Sequence, residues 1–264
     1  MSNSRGKGSG KEIAYGRRAV IELLESGLEM TELFVIPGGT GDVFERICRE
    51  TERKGVRIVR ASRAEIGRIT RSEDHQGVAA FYLSPDELDI EELISHLNAV
   101  PRKPLIVVDG IEDPRNLGAV IRSAEVLGAG GMAYRRSRSA GLTPAVVKSS
   151  AGAALRFPIA TASNTDIIIR ALKKGGYWVY GLDASASESL WEAELTDPVC
   201  FVVGAEGKGL TRLVKEGCDF LLRIPQVGRI GSLNVSVSAS IALSEWLRRS
   251  MRKMEQGLDL SIRR

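Results

Sequence analysis

CFVVGAEGKGL (residues 200–210) and DFLLRIPQVGRIGSLNVSVSASIAL (residues 219–243) decide how this chain is read. Each opens on an apolar, β-branched run short enough to be a buried strand, breaks into a glycine-rich loop, and passes into a helical pattern. Two successive strand–loop–helix units place two loops at one edge of a sheet. That edge is where open α/β sheets hold their ligands. A third loop, DGIEDPRNL (residues 109–117), follows the apolar run LIVVD and is expected to join them.

Working outward, residues 105–264 alternate strand and helix. Met132–Tyr134, Phe157–Ala160, Tyr177–Leu182, Cys200–Gly204 and Phe220–Pro225 read as strands. Asp113-Pro114 marks a turn, and Asn116 is placed to cap a helix through Leu117, Val120, Ile121, Ala124 and Leu127. A final helix over about 236–254 puts Leu243, Trp246, Leu247 and Met254 on one side and Arg248, Arg249, Arg252 and Lys253 around the other. Serial βα alternation means a mostly parallel sheet with helices on both faces. Upstream, residues 12–84 read as a small α/β unit, with strands at Glu32–Pro37, Val56–Val59 and Val78–Leu83 and a helix capped by Ser62. Residues 85–103 are acidic, carry one short amphipathic helix around Leu93–Leu97 and run through Pro101 up to Pro104, so a linker is expected there, leaving 104–264 as the second domain. Residues 1–11 read as a disordered basic tail.

Composition bounds the function. The chain has 264 residues, 43% hydrophobic and 27% charged, ordinary for a soluble globular protein. No apolar run approaches the roughly 20 residues a membrane span needs. The polar N-terminus does not read as a secretion signal. Three widely spaced cysteines, Cys48, Cys200 and Cys218, show neither metal nor redox spacing, so reduced thiols in a cytoplasmic protein without a metal are expected. Net charge is +4, but residues 130–175 hold eight basic side chains against one acid, Asp166. Such a block is the footprint of a polyanion partner or simply a solvated basic face; charge alone suggests nucleic acid without establishing it.

Common chemistries are absent. The two histidines, His75 and His96, precede the strand–helix alternation, so no Ser-His-Asp arrangement forms within it. Residues 204–208 lack the glycine spacing of a phosphate loop, and no GxGxxG follows LIVVD. What remains is a set of polar residues beside glycines: Asn116 and Arg122, Glu206, and Ser232 and Asn234. Arg122 interrupts an otherwise apolar helix. Asn234 interrupts LNVSV, where a buried amide left unbonded costs about 1–3 kcal/mol. These loops are expected to form a polar pocket, and they name no reaction.

A resemblance supplies one. DGIEDPRNLGAVIRSAEVLGA, FVVGAEGKGL and IPQVGRIGSLNVSVSASIAL resemble, in order and spacing, the three signature motifs of the SpoU (TrmH-type) RNA ribose 2′-O-methyltransferases, and KSSAGAALRFPI resembles that family's middle segment. YGRRAVIELLESG and DHQGVAAFYL resemble the substrate-binding domain of the branch that methylates a guanosine of 23S ribosomal RNA. The resemblance implies a small ribosomal-protein-like RNA-binding domain, then a SPOUT fold whose parallel sheet ends in a trefoil knot, and a homodimer. It implies S-adenosylmethionine held by Gly204, Ala205, Glu206, Gly207, Ile224, Gln226, Gly228, Ser232 and Leu233, with Ile224 and Leu233 sandwiching the base. Arg122 becomes the central catalytic residue, oriented by Asn116 and Asn234, with Glu206 and Ser232 in support. Arg17, Arg18, His75, Arg135, Arg136, Arg138, Lys148 and Arg156 are the expected RNA contacts. A transfer-RNA methylase and a non-catalytic RNA-binding or ribosome-assembly factor are the competing readings. The latter would be expected to lose Asn116, Arg122 or Asn234, and all three are present.

Overall fold

The computed structural model describes residues 10–84, 87–98, 103–137, 139–205, 207, 209–229 and 231–255. The tail at 1–9, Arg138 and Glu206 lie outside the described residues. The chain divides into two compact units, Met1–Asp86 with Leu142–Arg156, and Glu87–Gly141 with Phe157–Arg264.

The first unit is built on β1 (Lys11–Tyr15), α1 (Arg17–Glu25), β2 (Met30–Val35), α2 (Asp42–Arg53), β3 (Arg57–Arg60), α3 (Arg63–Thr70) and β4 (Val78–Leu83). Its sheet has the order β1-β4-β2-β3, antiparallel except for the β2–β3 pair. β1 has no counterpart among the expected elements, because it continues directly from the basic tail. Ser62 caps α3 through a full capping box with Glu65. Phe34 and Phe81 meet edge to face at 5.6 Å in its core.

The second unit starts earlier than expected. The acidic segment expected to be a linker forms α4 (Ile90–Asn98), opened by reciprocal hydrogen bonds between Asp89 and Glu92. Ile90, Leu93, Ile94 and Leu97 are buried in the core of this unit. Only 85–86 and 99–102 of that segment lie outside the described residues. Then follow β5 (Leu105–Asp109), α5 (Pro114–Val126) and β6 (Gly131–Arg135). Next, α6 (Pro144–Ser149) and a short 3₁₀ turn (Ala153–Leu155) belong with the first unit. The chain returns as β7 (Ile159–Ala162), α7 (Thr165–Lys174), β8 (Trp178–Leu182), β9 (Glu188–Ser189), β10 (Val199–Gly204), α8 (Arg212–Gly217), β11 (Phe220–Arg223) and α9 (Val235–Glu255).

These strands form a seven-stranded sheet of order β7-β6-β5-β10-β8-β11-β9, parallel in every pair. Strand order runs outward one way through β5, β6 and β7 and the other way from β8, and β10 fills the gap between. Strand alternation sends Leu105, Val107, Cys200 and Val202 to one face, where they pack with α4, α7 and α8. Ile106, Val108, Phe201 and Val203, also buried, turn to the other face, where α5 and α9 lie against each other. Burial on both faces explains why LIVVD and CFVVG are continuous apolar runs. Among the described residues, no helix is long and apolar enough to cross a membrane. All three cysteines are free, and burial pushes the Cys218 thiol up to about 12.

α9 buries Leu243 and Trp246 as expected, but its opposite side is not a uniformly solvated basic face. The Arg249 guanidinium turns inward, donating to the backbone carbonyls of Leu190 (2.8 Å), Trp191 (3.0 Å) and Ala193. Glu245, buried at its base, accepts from Arg248 and Arg249. The Arg248 hydrogen bond outweighs burial, and with Arg249 it holds the Glu245 carboxyl below its ordinary value. A depressed carboxyl contributes stability above its unfolded pKa and loses it as pH falls through the folded one. Glu245→Gln is therefore expected to cost about 1–3 kcal/mol at pH 7. In urea titrations of both proteins, that deficit should shrink steadily below about pH 4.5.

Candidate active site at the carboxyl edge of the sheet

The carboxyl ends of the central strands set the site. Gly204 at the end of β10 pairs with Asp109 at the end of β5, and the neighbouring ends of β8 and β11 meet at Leu182 and Leu222. Across this edge lies a cleft of about 300 Å³. Three loops wall it, those after β8, β10 and β11. From the loop after β10 come Gly204, Ala205 and Gly207; from that after β11 come Ile224, Gln226, Ser232 and Leu233. Each was expected at a cofactor site from the sequence. Gly228, expected with them, does not line the cleft and is exposed.

The loop after β10 turns back on itself. The Gly209 amide donates to the Ala205 carbonyl at 2.9 Å. A side chain at Gly204 is excluded by backbone: an added Cβ would stand 2.2 Å from the carbonyl carbon of Gly209 and 2.5 Å from the Leu210 nitrogen. Gly207 and Gly209 both adopt positive φ, 73° and 60°, where L side chains are strained. The glycines of GAEGKGL thus meet two separate demands, close backbone approach and left-handed turning.

The asparagines meet as the sequence suggested, but in different roles. The N-cap of α5 is Asp113, whose side chain accepts from the Arg115 amide, with Pro114 in the first turn. Asn116 lies inside that first turn. Asn234 is exposed rather than buried, and its Oδ1 accepts from the Ser236 amide at 2.8 Å and hydroxyl at 2.6 Å. It thereby caps α9. Its Nδ2 donates to Asn116 Oδ1 at 3.0 Å. One side-chain bond therefore ties the first turns of two helices, and the positive ends of both dipoles converge at this edge. Arg122 follows Asn116 by six residues on α5. At about 100° per residue it leaves the helix on a different side from Asn116, exposed to solvent and outside the cleft lining.

The sequence reading missed the third wall. Asp183 and Ser185, after β8, and Lys215 on α8 line the same cleft. Asp183 Oδ1 accepts from the Ser185 amide at 2.8 Å and its hydroxyl at 2.5 Å, while Oδ2 pairs with Lys215 Nζ. Burial alone raises the Asp183 carboxyl, but the hydrogen bonds from Lys215 and Ser185 prevail and hold it below the usual carboxylate range. The available signal was YWVYGL, a firm strand whose carboxyl end had to reach the same edge.

Two expected RNA contacts require correction. His75 is fully buried. Its Nδ1 accepts from the Gly77 amide at 3.1 Å, and burial, then the charge of Arg63, lowers its pKa. It shapes a loop in which Gln76 Oε1 accepts from the Arg17 amide at the start of α1. Arg135 is turned inward, its side chain 18% exposed and paired with buried Asp109 at 3.2 Å. Its guanidinium occupies the space a side chain would need at Gly110. The others are partly committed. Arg17 lies over the Phe44 ring at 5.5 Å, and Arg18 and Arg156 both pair with Glu22. Lys148 pairs with Asp74 at 3.2 Å, and exposed Arg136 donates to Thr161 at 2.8 Å.

Solved structures share this architecture. An AdoMet-bound rRNA methyltransferase from Sinorhizobium meliloti superposes with a TM-score of 0.74 at 26% identity, covering 90% of this chain and 87% of that one. An RNA 2′-O ribose methyltransferase gives 0.77 at 25% identity, covering 92% and 90%. The fold and cleft therefore define an α/β enzyme of the RNA-methylating class. Residues 103–244 match the SpoU rRNA Methylase family, and residues 13–87 match the RNA 2′-O ribose methyltransferase substrate-binding domain. The chain belongs to the SpoU family. A protein of Mycolicibacterium paratuberculosis named "Uncharacterized tRNA/rRNA methyltransferase" is 38% identical over 242 residues, covering 89% of this chain and 76% of the relative. A Synechocystis protein of the same description is 35% identical over 239 residues, and the matched region spans 62% of its length.

Gly204→Ala is expected to open the loop after β10 at a cost of about 1–3 kcal/mol, the usual penalty for overpacking. Hydrogen exchange should accelerate at the Gly209 amide, and the melting temperature should fall.

Proposed function

We propose that this chain transfers a methyl group from S-adenosylmethionine to a ribose 2′-hydroxyl of ribosomal RNA. The observation that carries the reading is the cleft at the carboxyl edge, walled by the SpoU signature glycines. The residues present fit the cofactor. Gly204, Ala205 and Gly207 bring backbone rather than bulky side chains to one wall of the cleft. Ile224 and Leu233 supply apolar walls, and Gln226 and Ser232 supply polar groups. S-adenosylmethionine supplies the electrophilic methyl group. Everything else falls to the chain: holding the hydroxyl in line, drawing off its proton and excluding water.

Arg122 carries the central role in this reading. An arginine is almost never deprotonated, so it acts by polarising the hydroxyl or gripping the adjoining phosphate, and the proton leaves through phosphate or water. Its exposure on α5 leaves it open to an RNA ligand. Asn116 and Asn234 fix the two helix ends from which the site is built, and their dipoles favour a phosphate there. Glu206 and Ser232 complete the set, with Gly228 shaping the loop beside them. Arg17, Arg18, Arg136, Arg138, Lys148 and Arg156 contribute positive charge toward the RNA. The finer reading is a guanosine of 23S ribosomal RNA as target, a cytoplasmic homodimer as the working form and a trefoil knot at the C-terminal segment. It rests on the N-terminal substrate-binding match and the order of the motifs.

Incubating the protein with labelled S-adenosylmethionine and unmodified ribosomal RNA should yield one methylated ribose. Mapping it to transfer RNA instead would redirect the substrate; an absence of cofactor binding by calorimetry would support a non-catalytic scaffold. Arg122→Lys keeps the charge but loses the planar fork. It should lower kcat/KM by about 10²-fold or more with cofactor affinity unchanged, and a wild-type rate would remove Arg122 from the mechanism.

A further inference from the structure

The wall after β8 carries a recognition element that the glycine motifs do not describe. Asp183, 9% exposed at its side chain, and Lys215, 35% exposed, form an ion pair that lines the cleft. Their remaining hydrogen-bonding capacity can be counted. A carboxylate offers about four acceptor positions and an ammonium three donors. The Ser185 amide and hydroxyl occupy Asp183 Oδ1, and Lys215 occupies part of Oδ2. Among the described residues, one acceptor position remains on Oδ2 and two donors remain on Lys215 Nζ.

That leaves an acceptor and a donor side by side on a pair with no net charge. A ligand ammonium would find the acceptor but face Lys215; a ligand carboxylate would find the donors but face Asp183. The matching group is neutral, and both donates and accepts at adjacent atoms. A vicinal diol does this. Val203, Ile224, Leu233 and Val235 give the same cleft apolar lining, suited to a flat base held by contact rather than by charge.

We propose that Asp183 and Lys215 together read the ribose hydroxyl pair of the cofactor, one hydroxyl donating to Asp183 Oδ2 and its neighbour accepting from Lys215 Nζ. The inference rests on the reading that this cleft takes S-adenosylmethionine. Ser185 is the positioning residue, fixing the carboxylate so that Oδ2 is presented. Acidic recognition of a ribose beyond the end of a parallel strand recurs among nucleotide-binding α/β sheets; here the acid is paired with a lysine.

The test is calorimetric titration of the full chain with S-adenosylhomocysteine, its 2′-deoxy and 3′-deoxy analogues, and its inosine analogue. The wild-type protein should bind each deoxy analogue at least tenfold more weakly than the parent and the inosine analogue about as well as the parent. Asp183→Asn should bind the parent more weakly and lose most of its discrimination against the deoxy analogues. Lys215→Met should lose discrimination against one of the two. Equal binding of parent and deoxy analogues by the wild-type protein would overturn the proposal, whether or not the variants fold. Undiminished discrimination in a folded Asp183→Asn would do the same, leaving the pair a strut between β8 and α8. A penalty confined to the inosine analogue would transfer the pair to the base. If the wild-type protein binds neither the parent nor S-adenosylmethionine, the cofactor reading itself fails.

Discussion

At the end of β10 two stretches of backbone come closer than any side chain permits. Gly204 lies against Gly209 and Leu210, and that contact folds the loop over the edge of the sheet. Because β10 is the strand that fills the gap between β5 and β8, the same contact fixes one wall of the cleft beside two neighbouring strand ends. The wall built by Ile224, Gln226 and Ser232 and the wall built by Asp183 line the same cleft as Gly204, Ala205 and Gly207.

A second constraint works at the helix ends. Helices α5 and α9 begin at the same edge, and the bond from Asn234 to Asn116 locks their first turns together. In the proposed reaction a substrate phosphate arriving there meets the N-terminal ends of two helices. In the proposed mechanism the asparagines hold the two helix ends, and Arg122, on another side of α5, is exposed to solvent.

Much of this was legible in the chain. LIVVD and CFVVG announced doubly covered strands because burial on both faces leaves no polar alternation, and the glycines marked the loops at the sheet edge. Other features were hidden for identifiable reasons. Arg135 and Arg136 are neighbours in a basic run, but strand alternation at the end of β6 turns the first inward onto Asp109 and leaves the second outside. His75 sat in a motif that suggested contact with RNA, and its burial depends on a loop whose packing no local pattern records. Asp183 and Lys215 are common residues after a strand and on a short helix, 32 positions apart. Only the parallel order of β8 and β11 brings them to one cleft. The helical spacing around Leu93–Leu97 was legible, but the acidic composition of 85–103 pointed to a linker, and only the burial of Ile90, Leu93, Ile94 and Leu97 places α4 in the second unit.

The first unit is not a continuous stretch of chain. It is completed by Leu142–Arg156, a segment that follows the first two strands of the parallel sheet. During synthesis, its small mixed sheet leaves the ribosome long before the residues that finish its packing, among them Arg156, which pairs with buried Glu22. Vectorial folding, in which an N-terminal domain closes before the next emerges, is therefore not open to this protein. Its early product must wait, with part of its surface uncovered, until the first two of the seven strands of the parallel sheet have been made.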